Sequence, residues 1–129
     1  MRHKILVIDD EEPVRKAIQL QLAGMEYEIL EAADGEAGIT LISTGDHALT
    51  VDLIICDIRM PKIDGIEAVS FFRREYPSTP VIVLTGFPDV DLAVDFMKQG
   101  ASDYLVKPVA KEKLIAAVDK AISQRSLFR

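Results

Sequence analysis

Short runs of continuous apolar residues, alternating with longer segments of helical period, constrain this chain more than any other feature. The runs are Lys4 to Asp9, Tyr27 to Glu31, Val51 to Cys56, Val81 to Thr85 and Ser102 to Val106. Within Ile5-Leu6-Val7-Ile8, Leu53-Ile54-Ile55-Cys56 and Val81-Ile82-Val83-Leu84, no polar residue interrupts the apolar ones. Strands of that kind are buried on both faces, as in a parallel sheet sandwiched between helices.

The intervening segments carry helix signals. Val14, Ile18 and Leu22 recur at helical spacing after Pro13, which a first turn tolerates, and Gly24 stands where a left-handed cap would end the helix. Asp34 is placed to cap a second helix carrying Ala37, Leu41 and Ile42, and Asp64 a third carrying Ile66, Val69 and Phe72. Val90, Val94 and Met97 give the fourth an apolar stripe closed by Gly100, and Leu114, Val118 and Ile122 give the fifth. Thr44 to Ala48 reads as a surface loop. Five β-then-α units with right-handed crossovers predict a doubly wound α/β fold, a five-stranded parallel sheet with helices on both faces. One domain is expected over residues 1–124, with 125–129 a tail or the start of a linker to an output domain.

Composition narrows the function classes. A formal net charge of -6 argues against direct nucleic-acid binding, because phosphate backbones reward basic patches. The single cysteine, Cys56, excludes an internal disulfide and fits a reducing cytosol. No signal peptide is recognisable, and no apolar run approaches the about 20 residues that span a bilayer. A soluble, cytoplasmic protein without membrane contact is expected.

Ligands of an open parallel sheet bind beyond the carboxyl ends of its strands. Asp9 and Asp10 end the first strand, Asp57 the third, Thr85 the fourth, and Lys107-Pro108 the fifth. Clustered carboxylates repel one another unless a cation intervenes, and a hard dication such as magnesium suits a few carboxylate oxygens. Asp9 and Asp10 alone could equally cap a helix, and Asp57 a turn. Together, an acid cluster, a hydroxyl donor and an amine suit a carboxylate nucleophile that receives a phosphoryl group. Gly86 leaves room for that group beside the backbone. The Lys107–Pro108 bond can be cis or trans, and a cis bond would turn the lysine inward.

Val7-Ile8-Asp9-Asp10-Glu11, Cys56-Asp57-Ile58-Arg59-Met60-Pro61-Lys62-Ile63-Asp64-Gly65, Leu84-Thr85-Gly86 and Asp103-Tyr104-Leu105-Val106-Lys107-Pro108 together resemble the motifs of response-regulator receiver domains. The resemblance extends from Lys4 to about Ile122. It implies a flavodoxin-like, CheY-like sheet of order 2-1-3-4-5 and phosphoryl transfer from a histidine kinase or phosphotransfer protein to Asp57. Asp10 and Asp57 would then ligate magnesium, for which manganese can substitute. Asp9 would help through water, and the backbone carbonyl of Arg59 would complete the protein ligands. Lys107 would contact the phosphoryl group, and Thr85 would move toward it and let Tyr104 change rotamer. The face of the fourth helix, fifth strand and fifth helix would then alter its affinity for an output domain or a second copy. Arg59 and Phe87 flank the path of the attacking water and would set how long the phosphate survives.

Such a domain is a switch rather than a turnover enzyme, catalysing only its own phosphorylation and slow dephosphorylation. Two other readings compete. A receiver-like binding module that is never phosphorylated would lack one of the acids or the lysine, and none is missing here. A phosphatase with an aspartate nucleophile would want an acid where Arg59 stands, and a substrate cap. Cys56, His3, His47 and Phe71-Phe72 read as structural residues, and Asp34-Gly35 as a helix-opening turn rather than a phosphate loop.

Overall fold

A computed structural model describes residues 2–58 and 65–127 of the chain. Five strands, β1 (His3–Ile8), β2 (Tyr27–Ala32), β3 (Val51–Asp57), β4 (Val81–Thr85) and β5 (Asp103–Val106), form one parallel sheet of order β2-β1-β3-β4-β5. Six helices are described: α1 (Glu12–Gln21), α2 (Gly35–Ile42), α3 (His47–Thr50), α4 (Gly65–Glu75), α5 (Val90–Lys98) and α6 (Lys111–Leu127). The expected sheet and its order are present. The expected third, fourth and fifth helices are α4, α5 and α6, because the Thr44 to Ala48 stretch runs into the short turn α3.

Strand periodicity of two divides the apolar runs between two cores. Leu6, Ile8, Ile54, Cys56, Val81 and Val83 face α2, α4 and α5, with Phe72 and Phe96 filling the layer. Ile5, Val7, Leu53, Ile55, Ile82 and Leu84 face the other way, onto Ile18 and Leu22 and onto Leu114 and Val118 of α6. Both faces being covered is why these strands read as continuous apolar runs.

Asp34 caps α2, its side chain accepting the Ala37 N–H at 2.7 Å. Gly38 lies so close to Ile8 that a Cβ would strike that side chain, which lets α2 pack tightly on β1. Gly24 takes φ +85, two residues beyond the Leu22 cap. The expected Asp64 cap lies outside the described residues. Helix α6 continues through Leu127, inside the stretch read as a tail.

One expectation is overturned. Val90, Val94 and Met97 are 79%, 45% and 46% exposed, whereas Phe96 and, in part, Leu92 seat α5 on the sheet. The Phe96 ring fills that layer, stacked on Tyr104 of β5, so the helix turns its smaller apolar residues outward.

Candidate functional site

Parallel pairing brings the strand ends to one edge. Cys56 and Asp57 pair with Val83 and Leu84, and Thr85 with Val106, so Asp57, Thr85 and Lys107 end neighbouring strands. The ladder runs on past the strands, with Ile58 N–H donating to Leu84 O at 3.1 Å and Lys107 N–H to Thr85 O at 2.8 Å. On the other side, Asp9 N–H donates to Ala32 O at 3.1 Å.

Asp9 and Asp57 are 0% and 2% exposed, while Asp10 is open to solvent. One carboxylate oxygen from each of the three falls within 4.8 Å of the others. Lys107 Nζ is shared between the two buried acids, 2.7 Å from Asp9 Oδ2 and 3.2 Å from Asp57 Oδ2. Asp9 Oδ1 accepts the Glu11 N–H at 2.9 Å. Its other oxygen, the buried Oδ2, meets the Lys107 ammonium and no further donor among the described residues. Partial burial works against the Lys107 ammonium. The hydrogen bonds and charges of Asp9 and Asp57 outweigh it and hold its pKa above the ordinary lysine value.

Three carboxylates of this spacing, with a buried oxygen only ion-paired, fit a hard divalent cation. Of the residues expected at the strand ends, the structure brings Asp9, Asp10, Asp57 and Lys107 together, and Thr85 ends the neighbouring strand. Arg59, expected to offer its carbonyl, lies outside them. The Lys107–Pro108 bond is cis.

Thr85 is fully buried, and its Oγ1 faces the following loop, donating to Phe87 O at 3.1 Å and accepting Phe87 N–H at 3.0 Å. Tyr104 stacks on Phe96 with ring centroids 6.5 Å apart, and its hydroxyl accepts the Asp89 N–H at 3.3 Å. Both switch candidates thus hold the β4–α5 loop. Phe87 itself is 64% exposed at the rim. A Cβ on Gly86 would meet nothing within 4 Å, so the space beside it is open. Burial, with the charges of Asp57 and Asp9, pushes the Cys56 thiol up, and Sγ donates to Asp57 O, which fits a structural residue.

Two contributors carry no sequence signal by themselves. Gly65 begins α4 directly against the end of β3, where any Cβ would strike the Asp57 carbonyl and Ile58 Cα. Arg15 reaches back from α1 to the Asp9 main chain. A glycine inside a turn motif and an arginine on a helix look ordinary until the packing is known.

A five-stranded, doubly wound sheet with these clustered strand ends defines a flavodoxin-like domain of the receiver class. The sequence model of the response regulator receiver domain matches residues 5–119. The chain belongs to this family. It is 35% identical to a "Probable transcriptional regulator ycf27" of Porphyridium aerugineum, covering 98% of this chain and 53% of that protein. It is also 35% identical to "Transcriptional regulatory protein ZraR" of Klebsiella oxytoca, covering 95% of this chain and 27% of that protein. The chain therefore spans about half or less of these curated relatives. A response regulator receiver domain protein from Clostridium thermocellum superposes with a TM-score of 0.90 at 35% identity, over 98% of this chain and 99% of that one. Over those residues the chain is a response regulator receiver domain of two-component signalling.

Proposed function

We propose that Asp57 is the phosphoacceptor of this receiver, with Asp9 and Asp10 completing a magnesium site and Lys107 and Thr85 receiving the phosphoryl group. The observation that carries this reading is the shared lysine: Lys107 Nζ contacts both Asp9 and Asp57 at the edge of a buried sheet. A carboxylate oxygen of Asp57 attacks phosphorus in a phosphohistidine. The P–O bond forms as the P–N bond breaks, and the imidazole nitrogen leaves with the electron pair and takes up a proton. Asp9, Asp10 and Asp57 would hold the dication, which when bound neutralises charge on the phosphoryl oxygens. Lys107 moves its charge from the Asp57 carboxylate to the incoming group, and Asp9 keeps the ammonium anchored. Gly86 leaves open space, and the Phe87 side chain stands at the rim.

The switch follows from the loop contacts. When Thr85 Oγ1 turns to donate to a phosphoryl oxygen, it gives up its two bonds to Phe87. The loop then loosens at its start, and the Tyr104 bond to Asp89 N–H at the α5 cap shifts with it. The face of α5, β5 and α6 carries Val90, Val94 and Met97 on one outward stripe, with Val106 41% exposed beside it. That face is the one we assign to an output domain or a second copy, the upstream partner being a histidine kinase or phosphotransfer protein. We assign the domain's action to the cytoplasm; among the described residues no helix is long and apolar enough to cross a membrane. We read the domain, whose last helix runs on through Leu127, as a switch and not a turnover enzyme. Arg59 and Phe87 set the phosphate lifetime in this reading.

Incubation with acetyl phosphate and magnesium, followed by intact mass measurement, tests the assignment. A phosphate-sized adduct that disappears in Asp57→Asn is expected. No adduct on the wild-type chain would make it a binding module, and repeated turnover of phosphomonoesters a phosphatase.

A further inference from the structure

The Asp9 main chain is gripped by a side chain that none of these roles uses. β1 ends at Ile8, and the Asp9 carbonyl beyond it is buried with the rest of the residue. A buried carbonyl needs a donor. Arg15 Nη1 supplies it at 2.6 Å, from the first turns of α1. The same guanidinium donates through Nε to Glu31 Oε1 at 3.0 Å, and its side chain is only 14% exposed. Glu31 stands on β2 opposite Val7 of β1, so the fork ties α1 and β2 to the residue on which the acid pair begins. Burial works against the Glu31 charge. Hydrogen bonds from Gln19 and Arg15 and the charges of Lys16 and Arg15 outweigh it and keep the carboxylate below its ordinary range. A planar fork serves two acceptors in fixed directions, which an ammonium does not.

We propose that Arg15, clamped by Glu31, is a positioning residue that fixes the Asp9 main chain and thereby aims the Asp9 and Asp10 carboxylates at the metal position. The inference rests on the magnesium reading above. It separates from a plain charge effect by sign. A cation near the acid cluster repels a dication, so deleting it for charge alone would tighten magnesium binding. Loss of positioning weakens it, as removal of a partner that orients metal ligands does.

Magnesium titration by calorimetry reads this directly in a chain with no tryptophan to report by fluorescence. In Arg15→Met, shown folded by circular dichroism, the dissociation constant for magnesium rises about tenfold, the lower end for loss of such a partner. Arg15→Lys keeps the charge without the fork and stays nearer the Met variant than the wild type. Glu31→Gln weakens binding by a smaller factor. In the metal-free protein, the Glu11 amide exchanges faster in Arg15→Met, because Asp9 Oδ1 no longer holds it as firmly. A folded Arg15→Met chain that binds magnesium as tightly as the wild type, or more tightly, overturns the assignment. Should that variant not fold, unchanged affinity in Glu31→Gln overturns it instead. A wild-type chain that binds no magnesium overturns the metal reading as well, so the two failures are told apart.

Discussion

The two ends of the sheet both bury acids, and they treat them differently. At the amino edge Asp52 is 5% exposed, and its Oδ2 accepts the Lys4 N–H at 3.0 Å with His3 Nδ1 3.4 Å away. That carboxylate ties the start of β1 to β3, beside the register shift between Lys4 and Ile5. At the carboxyl edge Asp9 and Asp57 share Lys107, and Asp10 brings a third negative charge within 4.8 Å of them. A carboxylate matched to a local main-chain donor is a fastener. Carboxylates gathered in excess of their cation are set up for a ligand that brings positive charge.

The largest contrast expected is between the two buried acids. Asp57→Asn removes the acetyl-phosphate adduct altogether, while Asp52→Ala leaves it intact and costs about 2 kcal/mol of stability by leaving a buried N–H without its acceptor. Intact mass and chemical denaturation check the pair, and loss of the adduct in Asp52→Ala would break the comparison. Neutralising the excess charge at the carboxyl edge comes next. Asp10→Asn raises the stability of the metal-free chain by up to about 1 kcal/mol, the order of the repulsion between like charges at such short range in water, and abolishes the stabilisation by magnesium. Thermal unfolding with and without magnesium reads both, and destabilisation of the metal-free chain would count against charge excess. The smallest effect sharpens the picture at the rim. Replacing Arg59 and Phe87 together by small polar residues shortens the phosphate lifetime several-fold, timed by mass after removal of the donor; an unchanged or longer lifetime would remove them from that role.

Much of this is legible in the sequence. Leu53 to Cys56 and Val81 to Leu84 marked buried parallel strands, and the acids, threonine and lysine stood at the ends of those runs. Asp34 was readable as a cap because the side-chain acceptor and its N–H donor are three residues apart. Local spacing carries such features, since both partners lie within one turn. The α5 face was not readable in this way. Val90, Val94 and Met97 form as regular a stripe as Phe96 and Leu92 do, and only the shape of the layer beneath β4 and β5 decided which turned inward.

The sequence by itself determined which strands are buried on both sides, hence the doubly wound sheet, and which residue types stand at its carboxyl edge. Apolar runs and their spacing are local properties, and the hydrophobic effect acts on them wherever the chain closes. Tertiary structure alone decided that Lys107 bridges Asp9 and Asp57, that Gly65 must lack a side chain, and that Arg15, clamped by Glu31, grips Asp9. Apart from the short steps from Arg15 to Asp9 and from Gly65 to Asp57, those partners are distant in sequence, and even those steps depend on how the helices dock on the sheet. Their meeting follows from strand order and helix docking, which no single segment encodes.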